Sequence, residues 1–196
     1  MNATTAPPTL APDDHWVTLP QGRVFARRWS PPPQSGAAAR PPIVLFHESL
    51  GSVELWRGFP ATLCAATGRA VVAYDRLGFG QSDPRPDAQP LDFVEEEARS
   101  TLPALRAQLG IGRYVALGHS VGGGMAVHCA AADASGHCEA LITIAAQACV
   151  EERTLQGIRD ARDQFHRNPS QLERLARYHG GDQSRARWAL NAWIDT

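Results

Sequence analysis

Apolar residues fall along this chain in short unbroken runs, separated by stretches with helical periodicity. IVLF at 43–46, AVVAY at 70–74, RYVALG at 113–118 and LITIAA at 141–146 show almost no alternation with polar residues. That is the pattern of strands buried on both faces. Two earlier runs, 16–19 and 23–29, flank Gln21-Gly22 and predict a β-hairpin. Between the buried runs lie three helical patterns. One spans 55–66 and ends at Gly68. The next opens at Asp92 with Glu95 three residues on, as in a capping box, and carries Val94, Ala98, Leu102, Leu105 and Leu109 on one face until Gly110. The third, small-residue pattern runs from Gly123 to Ala132. Strands alternating with helices predict an α/β fold: a mostly parallel sheet with helices on both faces and an antiparallel hairpin at its edge.

The pattern changes after Gln147. Residues 150–194 are polar, rich in arginine and helix-periodic, with no strand signal. Leu155, Ile158, Ala161 and Phe165 mark one helix face, Leu172, Leu175 and Tyr178 a second, and Leu190, Trp193 and Ile194 a third. The organisation expected is therefore a disordered Ala/Thr/Pro leader over 1–14, an α/β core over 15–149 and a helical segment over 150–196.

Composition narrows the chemistry. All 19 basic residues are arginine and there is no lysine, so a Ser-Lys dyad, a Schiff-base lysine and a P-loop lysine are excluded. A net charge of −1 without a basic run argues against a nucleic-acid partner. No apolar run approaches the roughly 20 residues of a membrane span. The first residues lack the basic and apolar regions of a secretory signal, so a cytoplasmic location is expected. Cys64, Cys129, Cys138 and Cys149 show no CxxC spacing and are read as reduced and mostly buried, and the His128-Cys129 and His137-Cys138 pairs fit no finger or ribbon pattern. No metal and no cofactor is expected.

One motif carries chemistry. Gly118-His119-Ser120-Val121-Gly122 fits G-x-S-x-G, with a buried strand before it and a glycine-rich helix start after it. A tight strand-to-helix turn there lifts the Ser120 hydroxyl above the sheet edge. A Cβ at Gly118 or Gly122 would obstruct strand–helix packing. The free N–H groups of the helix start face developing negative charge.

With this motif, the loop His47-Glu48-Ser49-Leu50-Gly51 and the loop from Asp75 to Asp83, the chain resembles the α/β-hydrolase superfamily over roughly residues 15–147. The resemblance implies Ser120 as nucleophile, with the backbone N–H groups of Val121 and Ser49 as the oxyanion hole and Leu50 as the alternative to Ser49. It implies structural roles for Asp75 and Asp83, a loop-ordering role for His47, and a lid for the helical segment. His119 sits on the wrong side of the chain to be a base. Glu48 stands where the family usually has glycine; a carboxylate there repels anionic substrates or hydrogen-bonds within the loop.

The family's triad runs Ser, then Asp or Glu, then His. The strands that carry the acid and histidine are not found in this sequence, and the lid histidines His166 and His179 are the alternative source of a base. The chain is expected to be a truncated polypeptide, nearly inactive by itself, with LITIAA as an uncovered edge prone to aggregation. The expected reaction is transfer of an acyl group from a small-molecule carboxylic ester, or a related acyl compound, to water. Cofactorless perhydrolysis and carbon–carbon bond hydrolysis or lysis stay open on the same motifs. So does a different class, a non-catalytic α/β-hydrolase-like binding protein.

Overall fold

A computed structural model describes residues 11–32, 40–146 and 149–196. Most of the expected leader, and the middle of the Pro/Ala-rich connector, lie outside the described residues. The hairpin forms as β1 (Asp13–Leu19) and β2 (Gly22–Trp29). β1 starts earlier than predicted and takes the last two leader positions into the sheet. The cause is a cross-strand ion pair, Arg27 Nε donating to Asp14 Oδ1 at 2.5 Å, which no periodicity signals.

β3 (Ile43–Phe46), β4 (Val71–Tyr74), β5 (Tyr114–His119) and β6 (Cys138–Ile144) complete a six-stranded sheet in the order β1-β2-β4-β3-β5-β6. β4, β3, β5 and β6 are parallel, and β2 joins β4 antiparallel. Both faces are covered at β3, β4 and β5, but not at β6, whose run equally lacks alternation and predicts a buried strand. Val44 and Phe46 enter one apolar cluster with Leu105, Met125 and Cys129, while Ile43 and Leu45 enter another with Cys64 and Leu117. β6 lies at the far edge, and its Leu141, Ile142 and Ile144 are each 42–43% exposed.

Two predicted helices differ in detail. The first begins at α1 (Phe59–Thr67), after a separate single turn at Glu54–Trp56, because Pro60 fits only the first turn of a helix. The second is split into α2 (Phe93–Glu96), a π turn at Glu97–Thr101 and α3 (Leu102–Gln108). Pro103 has no N–H to give the carbonyl of residue 99, and next to it the Leu102 N–H donates to Glu97, five residues back. The capping box does not form: Asp92 makes no side-chain cap bond and pairs with Arg99 instead. α4 (Val121–Ala132) begins directly after Ser120. The helical segment is α5 (Glu152–Arg167), α6 (Pro169–Ala176) and α7 (Gln183–Asp195).

Candidate active site

Ser120 sits between β5 and α4 with φ 55° and ψ −125°, a region that costs a non-glycine residue of order 1–3 kcal/mol. The surroundings hold it there. The Ser120 N–H donates to the Ile144 carbonyl at 2.9 Å, and the Gly123 N–H donates to the Ser120 carbonyl at 2.9 Å. β5 and α4 lie so close that a Cβ on Gly118 would strike the Gly122 carbonyl, and one on Gly122 the carbonyl of Phe46. Val121 is the first residue of α4, so its N–H has no acceptor within the helix.

The loop after β3 is held from behind. His47 is buried; its Nδ1 donates to the Glu48 carbonyl at 2.7 Å and its Nε2 accepts the Arg76 N–H at 3.2 Å. Burial first, and then the charge of Arg76, keep the imidazole neutral, well below its ordinary pKa. The Arg76 guanidinium is also buried. Its Nη2 donates to the carbonyls of Glu48 and Ser49, at 3.3 and 3.2 Å, and its planar group lies 4.0 Å from the Phe79 ring centroid. With the carbonyls of Glu48 and Ser49 turned to Arg76, the N–H groups of the same two peptides, those of Ser49 and Leu50, point to the other side. The Glu48 carboxylate takes one of these, accepting the Leu50 N–H at 3.0 Å. The Ser49 N–H has no partner among the described residues. Of the two oxyanion donors that the sequence left open, Ser49 is the one still available.

Asp75 and Asp83 face the scaffold. Asp75 accepts N–H groups from Val53 at 2.6 Å and Gln81 at 2.8 Å, and burial pushes its pKa up to about 7 despite those bonds. Asp83 accepts the Arg23 N–H at 2.8 Å and tethers the hairpin. The same loop docks the helical segment. Trp188 of α7 packs on Gly78, where a Cβ would enter its ring, and Arg185 Nη1 donates to the Ser82 carbonyl at 2.5 Å. His179, between α6 and α7, is fully buried. Its Nδ1 accepts the Gly80 N–H at 2.9 Å and its Nε2 donates to Leu50.

These elements enclose a cavity of about 270 Å³ that brings Ser120 together with Glu48, Ser49, Leu50, Ile158 and Trp193. A second cavity of about 330 Å³ shares Ser49, Ile158 and Trp193 with it and adds Val121. Ser49 therefore borders both cavities, with Ser120 on the first and Val121 on the second. His119 faces the other way, its ring 6.5 Å from that of Trp56. His179 has both nitrogens engaged, and His166 is exposed on α5. Among the described residues no hydrogen bond reaches the Ser120 hydroxyl, no three His, Cys, Asp or Glu side chains are grouped to hold a metal ion, and no helix is long and apolar enough to cross a membrane. The four cysteines are free; Cys64 and Cys129 are buried, while Cys138 is half-buried and Cys149 exposed.

Residues 41–191 match the alpha/beta hydrolase fold family. The chain belongs to it. Similar proteins of this family differ in activity. The human 1-acylglycerol-3-phosphate O-acyltransferase is 38% identical over 86 residues, which are 43% of this chain and 24% of that protein. The proline iminopeptidase of Lactobacillus helveticus is 35% identical over 88 residues, 45% of this chain and 30% of the peptidase. Among solved structures, an alpha/beta hydrolase from Novosphingobium aromaticivorans matches with TM-score 0.63 and 25% identity, over 76% of this chain and 49% of that one. The chain thus spans less than two thirds of the length of each of these three relatives. Arg76 and the anchoring role of His179 escaped the sequence reading. Arg76 lay in plain view beside Asp75, but its partners are backbone atoms of a distant loop, which no spacing rule reveals.

Proposed function

We propose that this chain is the nucleophile-bearing part of a serine hydrolase that transfers the acyl group of a small carboxylic ester, or a related carbonyl compound, to water. One observation carries the reading: Ser120, at positive φ, shares its cavity with Ser49 and stands next to Val121, and the N–H groups of both have no partner among the described residues. Ser120 Oγ attacks the carbonyl carbon. The resulting oxyanion accepts the two N–H groups, each typically worth about 3 to 4 kcal/mol in a transition state. The alcohol departs, and water then attacks the acyl-serine and frees the acid.

Ser120 needs a base to lose its proton. We assign that base, a histidine with a supporting carboxylate, to sequence outside the described residues. The chemistry calls for no metal or cofactor, and free thiols fit a reducing, cytoplasmic setting.

The test is turnover of p-nitrophenyl butyrate by the protein expressed from its whole gene. Ser120→Ala is expected to lower kcat by about a millionfold. A variant that keeps turnover within about tenfold of wild type would overturn the reading. The engaged nitrogens of His47 and His179 favour one second reading, a binding protein without turnover; a folded whole-gene product that binds esters but leaves them intact would establish it.

A further inference from the structure

The space around Ser120 is lopsided in charge. The chain carries 19 arginines, yet none of them lines either cavity beside Ser120 among the described residues. Glu48 lines the first and Glu95 the second. Glu48 shares its wall with Ser49 and Ser120. Its Oε2 accepts the Leu50 N–H, which fixes the carboxylate in place and leaves further lone pairs open. Arg76 hydrogen-bonds Glu48 at its backbone carbonyl, from the buried side of the loop, and its charge couples to the Glu48 carboxylate from there. Trp193 of α7 lines both cavities and offers an indole to the same space.

We propose that the acyl substrates of this site carry a positively charged ammonium group within a few bonds of the scissile carbonyl, and that Glu48 and Trp193 receive it. This rests on the acyl-transfer reading of Ser120 and sharpens it to a substrate class. A fixed carboxylate in a partly dehydrated cavity attracts a cation more strongly than it would in bulk water. An indole adds a cation–π contribution that a neutral alkyl group does not earn. An anionic acyl compound meets Glu48 and Glu95 in the walls, while Arg76, whose charge couples to Glu48, is buried behind the loop and lines neither cavity.

Calorimetric titration of the Ser120→Ala protein tests this with the ligand left intact. The probes are butyrylcholine, neohexyl butyrate (the same shape with carbon in place of nitrogen) and the anion monobutyl succinate. Butyrylcholine is expected to bind about tenfold (~1.4 kcal/mol) more tightly than neohexyl butyrate, and the anion most weakly. Adding Glu48→Gln, which keeps an acceptor for the Leu50 N–H, is expected to bring the first two within about twofold. Raising salt from about 0.05 to 0.5 M should narrow the gap in the same direction without any substitution at Glu48.

Equal binding of cation and isostere, a preference that survives Glu48→Gln, or no binding of any probe would each overturn the proposal. Ester turnover that depends on Ser120 but shows no cation preference would refute the substrate class alone.

Discussion

The Nε2–H of His179 donates to the carbonyl of Leu50, 3.2 Å away and 129 positions earlier in the chain. The other ring nitrogen accepts from Gly80. One imidazole thus ties the helical segment to the loop after β3 and to the loop after β4, and only the neutral Nε2–H tautomer makes both bonds. The backbone beside Ser120 is held through a residue of the helical segment.

That arrangement sets a pH dependence. Burial, and then the charges of Arg76 and Arg185, push the His179 pKa from 6.5 down to about 4, against the opposing effect of the Leu50 bond. Below pH 6.5 the unfolded chain takes up a proton that the folded chain refuses until about pH 4. The stabilisation is therefore present above pH 6.5 and is lost as pH falls to about 4, an effect of about 3 kcal/mol. Urea unfolding of wild type and His179→Gln at pH 7 and pH 4 should show the variant less stable at pH 7 and the gap closing by about that amount in acid. A gap independent of pH would contradict the latch.

Close backbone approach at the elbow predicts a contrast among glycines. Gly122→Ala places a methyl against the Phe46 carbonyl, which cannot rotate aside, so a loss of about 3 kcal/mol or more is expected. Gly112→Ala meets nothing within 4 Å and should change stability by no more than about 1 kcal/mol. Denaturant midpoints of the two variants check this directly.

Removing the Arg76 guanidinium should loosen the loop without unfolding the sheet. Arg76→Met leaves the carbonyls of Glu48 and Ser49 without their donor, so they lose the reason to face inward. Hydrogen exchange at the Leu50 amide, protected by Glu48 in the wild type, is expected to speed up by at least about tenfold, with strand amides of β3 much less affected. Unchanged exchange at Leu50 would show that Arg76 does not set the loop.

Much of this was legible in the sequence because burial on both faces erases alternation. β3, β4 and β5 each appear as an unbroken apolar run, and a run of that kind ending in G-x-S-x-G announces a strand-to-helix elbow. Ser120 and the flanking glycines followed from that local logic. What stayed hidden depends on partners far away in the chain. Asp92 and Glu95 spelled a capping box, but Arg99 claims the Asp92 carboxylate. The periodic face from Val94 to Leu109 gave no hint of the π turn that accompanies Pro103. His179 read as a possible base because a lone lid histidine looks the same whether its nitrogens are free or engaged. For Glu48 the sequence left repulsion of anionic substrates or a hydrogen bond within the loop, and the bond to the Leu50 N–H is the second of these.

The central claim is that Ser120 is a nucleophile beside ready oxyanion donors, with its base outside the described residues. Tandem mass spectrometry of the 196-residue chain after fluorophosphonate treatment, with and without added imidazole, tests it most directly. A slow adduct on Ser120 that free imidazole accelerates is the predicted result. An adduct confined to other residues, or rapid Ser120 labelling that imidazole leaves unchanged, would contradict it.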